Sequence, residues 1–218
     1  MRFRDRADAG RQLADRLGDY AHRSDVVVLA LPRGGVPVAA EVAARLNAPL
    51  DVWLVRKLGV PGYPELAMGA IASGGVEIAN ADVIDSLHID LAMFRRVASH
   101  ERVELDRRDR IFRGDRPAPA IAHHVAILVD DGFATGSTME AAIQSVRKLE
   151  PAAIVVAVPV GARDTCDRLR PLVDRMLCLY TPELFRAVGE FYEDFSQTSD
   201  DEVRRALNAA KELHDHEA

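Results

Sequence analysis

Short apolar segments that alternate with helical patterns constrain the fold of this chain more than any other feature of its sequence. Runs of strand length that are apolar throughout indicate strands buried on both faces, which is typical of a parallel sheet covered by helices. The strands are predicted at Val26 to Leu31, Val52 to Val55, Val125 to Val129, Ala153 to Val158 and Arg175 to Leu179. The sequence therefore predicts an α/β fold with a mostly parallel twisted sheet flanked by helices.

Apolar residues at helical spacing separate these strands. Helices are predicted at Ala7 to Tyr20, Val36 to Leu46, Asp90 to Arg113, Ser137 to Leu149, Arg163 to Leu169 and Asp200 to His214. In the predicted helix from Asp90 to Arg113, an apolar residue recurs every seven positions, and arginines and acids occupy the other faces. This pattern predicts a solvated amphipathic helix.

The 218 residues contain no internal repeat and no low-complexity tract, so we expect one domain spanning residues 1–218. The segment from Gly59 to Gly75 is rich in glycine and proline, and long loops are commonly functional. We interpret residues 57–75 as a mobile lid. A small hood subdomain is expected from the N-terminal segment and residues 181–218.

The charge distribution limits the classes of partner. With 28 basic and 34 acidic residues the net charge is −6, and no basic block is segregated, which argues against general binding to nucleic acid. No apolar run approaches the roughly 18 residues of a membrane span. The N-terminus lacks the apolar core of a secretory signal, so a cytoplasmic protein is expected, with Cys166 and Cys178 as small buried residues rather than a disulfide.

Two acids follow the apolar run Val125 to Val129. Asp130 and Asp131 stand at the C-terminal end of this strand, where carboxylates can accept hydrogen bonds from a vicinal diol or bind a divalent cation directly or through water. The alternative is a pair of solvated loop acids.

A hydroxyl-rich helix start comes next, at Ala134, Thr135, Gly136, Ser137 and Thr138. Unpaired N–H groups at a helix N-terminus bind phosphate, the hydroxyl groups add donors, and glycine permits close approach. The alternative is that Thr135 or Ser137 only caps the helix. Acids and helix start together indicate a phosphorylated sugar as ligand.

The segment Val129 to Thr138 resembles the signature of the type I phosphoribosyltransferases, which consists of apolar residues, two acids and a T-G-x-T phosphate loop. The resemblance implies binding of 5-phosphoribosyl 1-pyrophosphate (PRPP) with Mg²⁺. It implies that Asp130 and Asp131 contact the ribose hydroxyl groups or the cation, and that residues 134–138 hold the 5′-phosphate.

The resemblance extends to the first two strands. Leu31-Pro32-Arg33-Gly34-Gly35 stands where the family has its pyrophosphate loop, which implies an anion contact from Arg33, exposed glycine amides, and a cis peptide bond between Pro32 and Arg33. Arg56 and Lys57 stand where the family carries basic residues before its lid. Arg33, Lys57 and the acid pair are the expected catalytic residues.

The implied reaction is transfer of the phosphoribosyl group to a small nitrogenous acceptor with release of pyrophosphate. The closest resemblance is to bacterial phosphoribosyltransferases of unassigned acceptor, which share the element Tyr192-Glu193-Asp194-Phe195. A regulatory protein that senses PRPP and acts through a nucleic acid or protein partner is the alternative. A hydrolase is a second alternative, although the sequence offers no pair of a nucleophile and a base. The oligomeric state stays open, with a homodimer compatible with the sequence.

Two features bear on the acceptor. Members that transfer to 6-oxopurines have an aspartate where this chain has Ala134, and they recognise the 6-oxo group with a lysine that Ala153 to Gly161 lacks. We therefore expect no efficient use of hypoxanthine, guanine or xanthine. Near the C-terminus, Phe191 and Phe195 are interpreted either as subdomain core or as a ring that stacks on the acceptor.

Overall fold

The computed structural model describes residues 2–114 and 116–217. The strands of this part of the chain are β1 (Val26–Ala30), β2 (Leu50–Val52), β3 (Val55–Val60), β4 (Tyr63–Ala72), β5 (Val76–Ala79), β6 (Val125–Val129), β7 (Ala153–Val160) and β8 (Arg175–Tyr180). Five of them form a parallel sheet in the order β2-β1-β6-β7-β8. The predicted fold class is confirmed.

The strands β1 and β6 are neighbours in this sheet and determine where the two candidate loops meet. Every residue of both strands is apolar and buried, because helices cover both faces of the sheet. Their register pairs Val26 with Val125 and Ala30 with Val129. The residues that follow each strand therefore leave the sheet side by side at its C-terminal edge.

The helices of the described part of the chain are α1 (Arg6–Ala14), α2 (Gly35–Leu46), α3 (Ala81–Ser86), α4 (Leu91–Arg113), α5 (Ser137–Arg147), α6 (Arg163–Leu169) and α7 (Asp200–Glu217). Residues from α1, α2, α4 and α7 pack on one face of the sheet, and residues from α5 and α6 pack on the other. None of these helices is both long and apolar enough to cross a lipid bilayer. The predicted first helix is shorter than expected, ending at Ala14 before a separate 3-10 turn at Gly18–Tyr20.

The interpretation of residues 59–75 as a long loop is wrong. The strands β3, β4 and β5 form a separate antiparallel sheet, and β3 and β4 are joined by a tight turn at Pro61 and Gly62. The second predicted strand is also divided, since Val52 ends β2 and Val55 begins β3. Between them the chain changes sheets, and the Trp53 indole N–H donates to the Ser145 hydroxyl of α5 at 2.8 Å.

The predicted solvated helix corresponds to α4, with two differences. Leu91, at the start of the apolar repeat, is 62% exposed. Arg113, at its end, is 5% exposed and forms ion pairs with Asp51 at 3.1 Å and with Asp109 at 2.6 Å. Arg113 is buried because Asp51 and the Val52 carbonyl oxygen lie within reach of its guanidinium group and satisfy its donors.

The N-terminal segment pairs with the segment that precedes α7, and α7 packs on the main core. Phe3 pairs with Tyr192 in an isolated parallel bridge, and its N–H donates to the Phe191 carbonyl oxygen at 2.8 Å. The C-terminal helix α7 packs on α2 and α4, with Val203 and Leu207 fully buried in the main core. The division of the chain into a lid and a hood stays a prediction.

Candidate functional site

The loop after β1 packs directly against the acids after β6. A Cβ atom at Gly34 would lie 2.1 Å from Asp131 Oδ2, and one at Gly35 would lie 2.7 Å from the Val129 carbonyl oxygen. Side chains at these two positions would therefore displace the acid pair. The pyrophosphate-loop candidate and the acid pair, predicted separately, form one site.

The backbone of this loop agrees in part with the prediction. The peptide bond between Pro32 and Arg33 is cis, as the resemblance implies. The Gly35 N–H, by contrast, donates to the Leu31 carbonyl oxygen at 3.0 Å, so it is used within the loop rather than exposed to an anion. The Arg33 guanidinium, with 36% of its side chain exposed, lies 3.5 Å from the Asp200 carboxylate at the start of α7.

The two acids have different surroundings. Asp130 Oδ1 accepts the Asp131 backbone N–H at 2.8 Å, and desolvation together with the charge of Asp131 raises the pKa of Asp130 well above its ordinary value. Desolvation also raises the pKa of Asp131, while Arg6 opposes this change. Arg6 Nε lies 2.8 Å from Asp131 Oδ2, and the two side chains are 12% and 13% exposed. The arginine therefore balances the charge of one acid of the pair.

Arg6 and Tyr192 belong to the site, although the sequence did not connect them with it. The Tyr192 hydroxyl donates to the Asp131 carbonyl oxygen at 2.6 Å, and burial raises the pKa of Tyr192. The Arg6 guanidinium lies 4.0 Å from the centre of the Phe195 ring. The element Tyr192 to Phe195 was the available signal, whereas no local pattern links Arg6 to an acid 125 positions away.

Helix α6 donates hydrogen bonds to the backbone of the candidate phosphate loop, residues 134–138. Thr165 Oγ1 donates to the Ala134 carbonyl oxygen at 2.6 Å, and Arg168 Nη2 donates to the Thr135 carbonyl oxygen at 2.6 Å. Gly136 has a φ of 68°, in the left-handed region, and a Cβ there would lie 2.5 Å from Thr165 Cγ2. The loop carbonyls thus bond to α6, while the first N–H groups of α5 have no partner within the helix.

The side chains of the loop are exposed at its outer surface. The hydroxyl groups of Thr135 and Ser137 lie 3.2 Å apart, and Thr138 follows in the first turn of α5. Residues 134, 135, 137 and 138 are all exposed. A phosphate group at this position would meet hydroxyl groups and the positive end of the helix dipole.

The two basic residues of β3 have different positions. Arg56 lines a cavity of about 30 Å³ together with Pro32, Arg108 and Thr138, so it lies close to one residue of each candidate loop. Its Nε donates to Glu101 at 2.9 Å. Lys57 does not line this cavity and pairs with Glu65 of β4 at 3.5 Å. The structure thus brings Arg56, but not Lys57, to the two loops.

The acid pair fits a magnesium ion that is bound together with a phosphorylated substrate. Among the described side chains of residues 2–63, 65–114 and 116–213, no group of three or more histidine, cysteine, aspartate or glutamate residues could hold a metal. Magnesium commonly binds through one or two carboxylates and completes its shell with water and substrate phosphates. Asp130 and Asp131 meet that requirement.

Comparisons with known proteins identify the family of this chain. The family model of the phosphoribosyl transferase domain matches residues 62–195. Proteins from two strains of Mycobacterium tuberculosis, each named provisionally as a phosphoribosyl transferase, are 50% identical over 208 residues, which is 95% of this chain and 47% of theirs. The chain therefore spans about half the length of these relatives.

Two solved structures share the fold of this chain. TT1426 from Thermus thermophilus is 42% identical with a TM-score of 0.86, covering 95% of this chain and 98% of that one. The AQ2163 protein from Aquifex aeolicus is 12% identical with a TM-score of 0.51, covering 94% of this chain and 85% of that one, and shows the fold alone. With its matched domain and relatives that are 50% identical over 95% of its length, this chain belongs to the phosphoribosyl transferase family and has the type I fold.

Proposed function

We propose that this protein transfers the phosphoribosyl group of Mg²⁺-bound PRPP to a small nitrogenous acceptor and releases pyrophosphate. The observation that carries the proposal is the contact between the loop Pro32 to Gly35 and Asp131, next to the start of α5. One ligand that has a diphosphate, a ribose diol and a 5′-phosphate would use all three of these elements.

Each element has a distinct role in this proposal. Asp130 and Asp131 accept hydrogen bonds from the ribose hydroxyl groups, and residues 134–138 bind the 5′-phosphate through hydroxyl and amide donors. Arg33 contacts the diphosphate. Its partner Asp200 is 46% exposed, and an exposed ion pair contributes little, so a diphosphate can replace this contact at small cost.

The reaction is a displacement at C1 of the ribose, in which positive charge develops on the sugar while pyrophosphate departs. Bound Mg²⁺ supplies charge neutralisation for the diphosphate. The residues of this chain contribute by orienting the ribose and stabilising the departing anion, which are effects of placement and electrostatics. Arg56, which lines the cavity next to Pro32, is the nearest basic residue of β3, and Lys57 would have to leave Glu65 to take part.

The deciding experiment is incubation of the protein with Mg²⁺ and PRPP and a panel of bases and amines, with pyrophosphate release as the measurement. Calorimetric binding of PRPP is measured in parallel, for the natural chain and for a double variant with Asp130→Asn and Asp131→Asn. We expect the folded double variant to bind PRPP weakly, because both charges that serve the cation are lost. Unchanged affinity would contradict the site.

A regulatory role without turnover stays the alternative. Binding of PRPP that depends on Asp130 and Asp131, with no pyrophosphate release for any acceptor of the panel, would favour a sensor of PRPP. Pyrophosphate release with water alone, at the same rate with and without acceptors, would indicate a hydrolase instead.

A further inference from the structure

Arg6 connects three parts of the chain at the acid pair. Its Nε donates to Asp131 Oδ2 at 2.8 Å, its Nη1 donates to the Ser196 carbonyl oxygen at 2.7 Å, and its Cζ lies over the Phe195 ring, 4.0 Å from the ring centre. The side chain is 12% exposed, so its position is defined by these contacts rather than by solvent. A guanidinium group can make all three contacts at once because it is planar and has five donors.

Asp131 is held on several sides. Its carbonyl oxygen accepts the Tyr192 hydroxyl at 2.6 Å, its Oδ2 accepts Arg6, and Gly34 lies close enough that no side chain fits between them. Tyr192, Phe195 and Ser196 all belong to the segment that precedes α7. The orientation of this carboxylate therefore depends on both ends of the chain.

Resting on the function proposed above, we propose that Arg6 is a positioning residue of the phosphoribosyl site. It holds the Asp131 carboxylate in the orientation that accepts the ribose hydroxyl groups and links this carboxylate to the segment Tyr192 to Ser196. It acts through Asp131 and makes no contact with the reacting atoms.

This role differs in a measurable way from that of a brace between α1 and the C-terminal segment. A brace contributes to stability, and its loss weakens every ligand of the site to a similar extent. A residue that positions Asp131 acts on the ribose hydroxyl groups alone, because misplacement of a positioned group is costly only for the contacts that the group makes. Comparison of ligands with and without the diol separates the two roles.

The variants are Arg6→Gln, which removes the charge and the fork of donors, and Arg6→Lys, which keeps the charge but cannot contact Asp131 and Ser196 in the same planar geometry. Arg11→Gln is the matched control, because Arg11 lies on the same helix and its 3.0 Å ion pair with Glu41 is outside the site. The ligands are ribose 5-phosphate and its 2,3-dideoxy analogue, each titrated with Mg²⁺ present and followed by NMR, which measures weak affinities.

We expect Arg6→Gln to weaken the binding of ribose 5-phosphate by about 10-fold or more, as for loss of a hydrogen bond to a charged group, and to leave the affinity for the dideoxy analogue unchanged. Arg6→Lys should lie between Arg6→Gln and the natural protein for ribose 5-phosphate. Arg11→Gln should match the natural protein for both ligands. Should Arg6→Gln fail to fold, Arg6→Lys decides the question with the same two ligands.

Equal weakening of both ligands by Arg6→Gln would show that Arg6 is only a brace, and tighter binding of ribose 5-phosphate would show that Arg6 competes with the sugar for Asp131. Either result overturns the inference, as does an unchanged affinity for ribose 5-phosphate. Failure of the natural protein to bind ribose 5-phosphate or PRPP contradicts the proposed function instead, so the two failures are distinguishable.

Discussion

At Gly34 the site requires space rather than backbone freedom. Its φ of −60° and ψ of −35° suit any residue, yet an added Cβ would lie 2.1 Å from Asp131 Oδ2. We expect Gly34→Ala to displace the Asp131 carboxylate and to weaken binding of Mg²⁺-bound PRPP by on the order of 10²-fold, the cost of a small misplacement in a preorganised site. Calorimetry measures this affinity.

Gly18→Ala is the control for this prediction, because nothing lies within 4 Å of a Cβ at Gly18. It should fold and bind PRPP as the natural protein does. Full affinity in Gly34→Ala would mean that Asp131 moves aside without loss and therefore does not contact the ligand.

In its charged form, Asp130 destabilises the folded protein. Because burial and the neighbouring charge raise its pKa, the folded state binds the Asp130 proton more tightly than the unfolded state does. Unfolding then releases a proton between the ordinary and the raised pKa, so the free energy of unfolding falls as pH rises through that interval. The carboxylate form is the costly one at neutral pH.

Asp130→Asn should therefore raise the melting temperature at neutral pH and weaken its dependence on pH between the ordinary and the raised pKa, while PRPP binding is lost. Asparagine keeps the acceptor oxygen for the Asp131 N–H, so no backbone contact is sacrificed. Differential scanning calorimetry over a series of pH values measures both effects. Asp131→Asn should raise the melting temperature less, because Arg6 offsets part of the cost of burying the Asp131 charge and loses its charged partner in this variant. An increase as large as that of Asp130→Asn would contradict this account.

Among the elements, four of the five strands of the parallel sheet could be predicted from the sequence, whereas β2 and the strands of the antiparallel sheet could not. The strands β1, β6 and β7 are unbroken apolar runs. Such a run can be recognised as a buried strand from the local sequence alone, without knowledge of its neighbours in the sheet. In β4, proline, glycine and small residues remove the alternation that marks a half-buried strand. The pairing of β4 with β3 also shifts register at Gly59. The strand β4 therefore becomes evident from its hydrogen-bonded neighbours and not from its local sequence.

The candidate site follows the same division. Asp130, Asp131 and the start of α5 are contiguous in sequence and therefore form a motif, and the loop at Arg33 follows a predictable strand. Arg6 and Tyr192 reach the same acids from the two ends of the chain. Contacts between side chains so far apart depend on tertiary packing, which no local pattern encodes.

The support of the phosphate loop by α6 gives a prediction at the scale of this element. Thr165→Val keeps the shape of the side chain but removes the hydroxyl that donates to the Ala134 carbonyl oxygen. A lost hydrogen bond of this kind costs about 1 kcal/mol, and we expect the affinity for PRPP to fall by about 5- to 10-fold as the loop loosens. Thr165→Ser keeps the hydroxyl and should restore the affinity measured by calorimetry. Equal affinities for the valine and serine variants would mean that the bond to α6 does not order the loop.

At the scale of the whole molecule, helix α7 connects the main core with the loop that follows β1. Leu207 of α7 is fully buried in the main core, and Asp200 of the same helix pairs with Arg33. We expect Leu207→Ala to reduce the free energy of unfolding by about 2–5 kcal/mol through lost burial and a residual cavity. Chemical denaturation measures this change. A change below about 1 kcal/mol would mean that α7 is held weakly against α2 and α4.

Ala134 bears on which acceptor the protein uses. By resemblance to the family, members that use 6-oxopurines handle the ring proton of the acceptor with an aspartate, at the position that Ala134 occupies here. A methyl group cannot take a proton, and the Ala134 carbonyl oxygen already accepts the Thr165 hydroxyl. General base catalysis of this kind contributes about 10²- to 10⁴-fold in rate.

The segment Ala153 to Gly161 also contains no lysine that could donate a hydrogen bond to a 6-oxo group. The strand β7, which lies within this segment, is apolar and largely buried. A site without that donor loses the discrimination that hydrogen bonding provides. We therefore expect hypoxanthine, guanine and xanthine to support no efficient release of pyrophosphate from Mg²⁺-bound PRPP, whereas adenine, uracil and orotate stay candidates, since other branches of the family also lack an acid at this position. Steady-state assays that gave a kcat/KM for hypoxanthine or guanine near 10⁵ M⁻¹s⁻¹, an ordinary value for an enzyme, would show that another residue serves as the base.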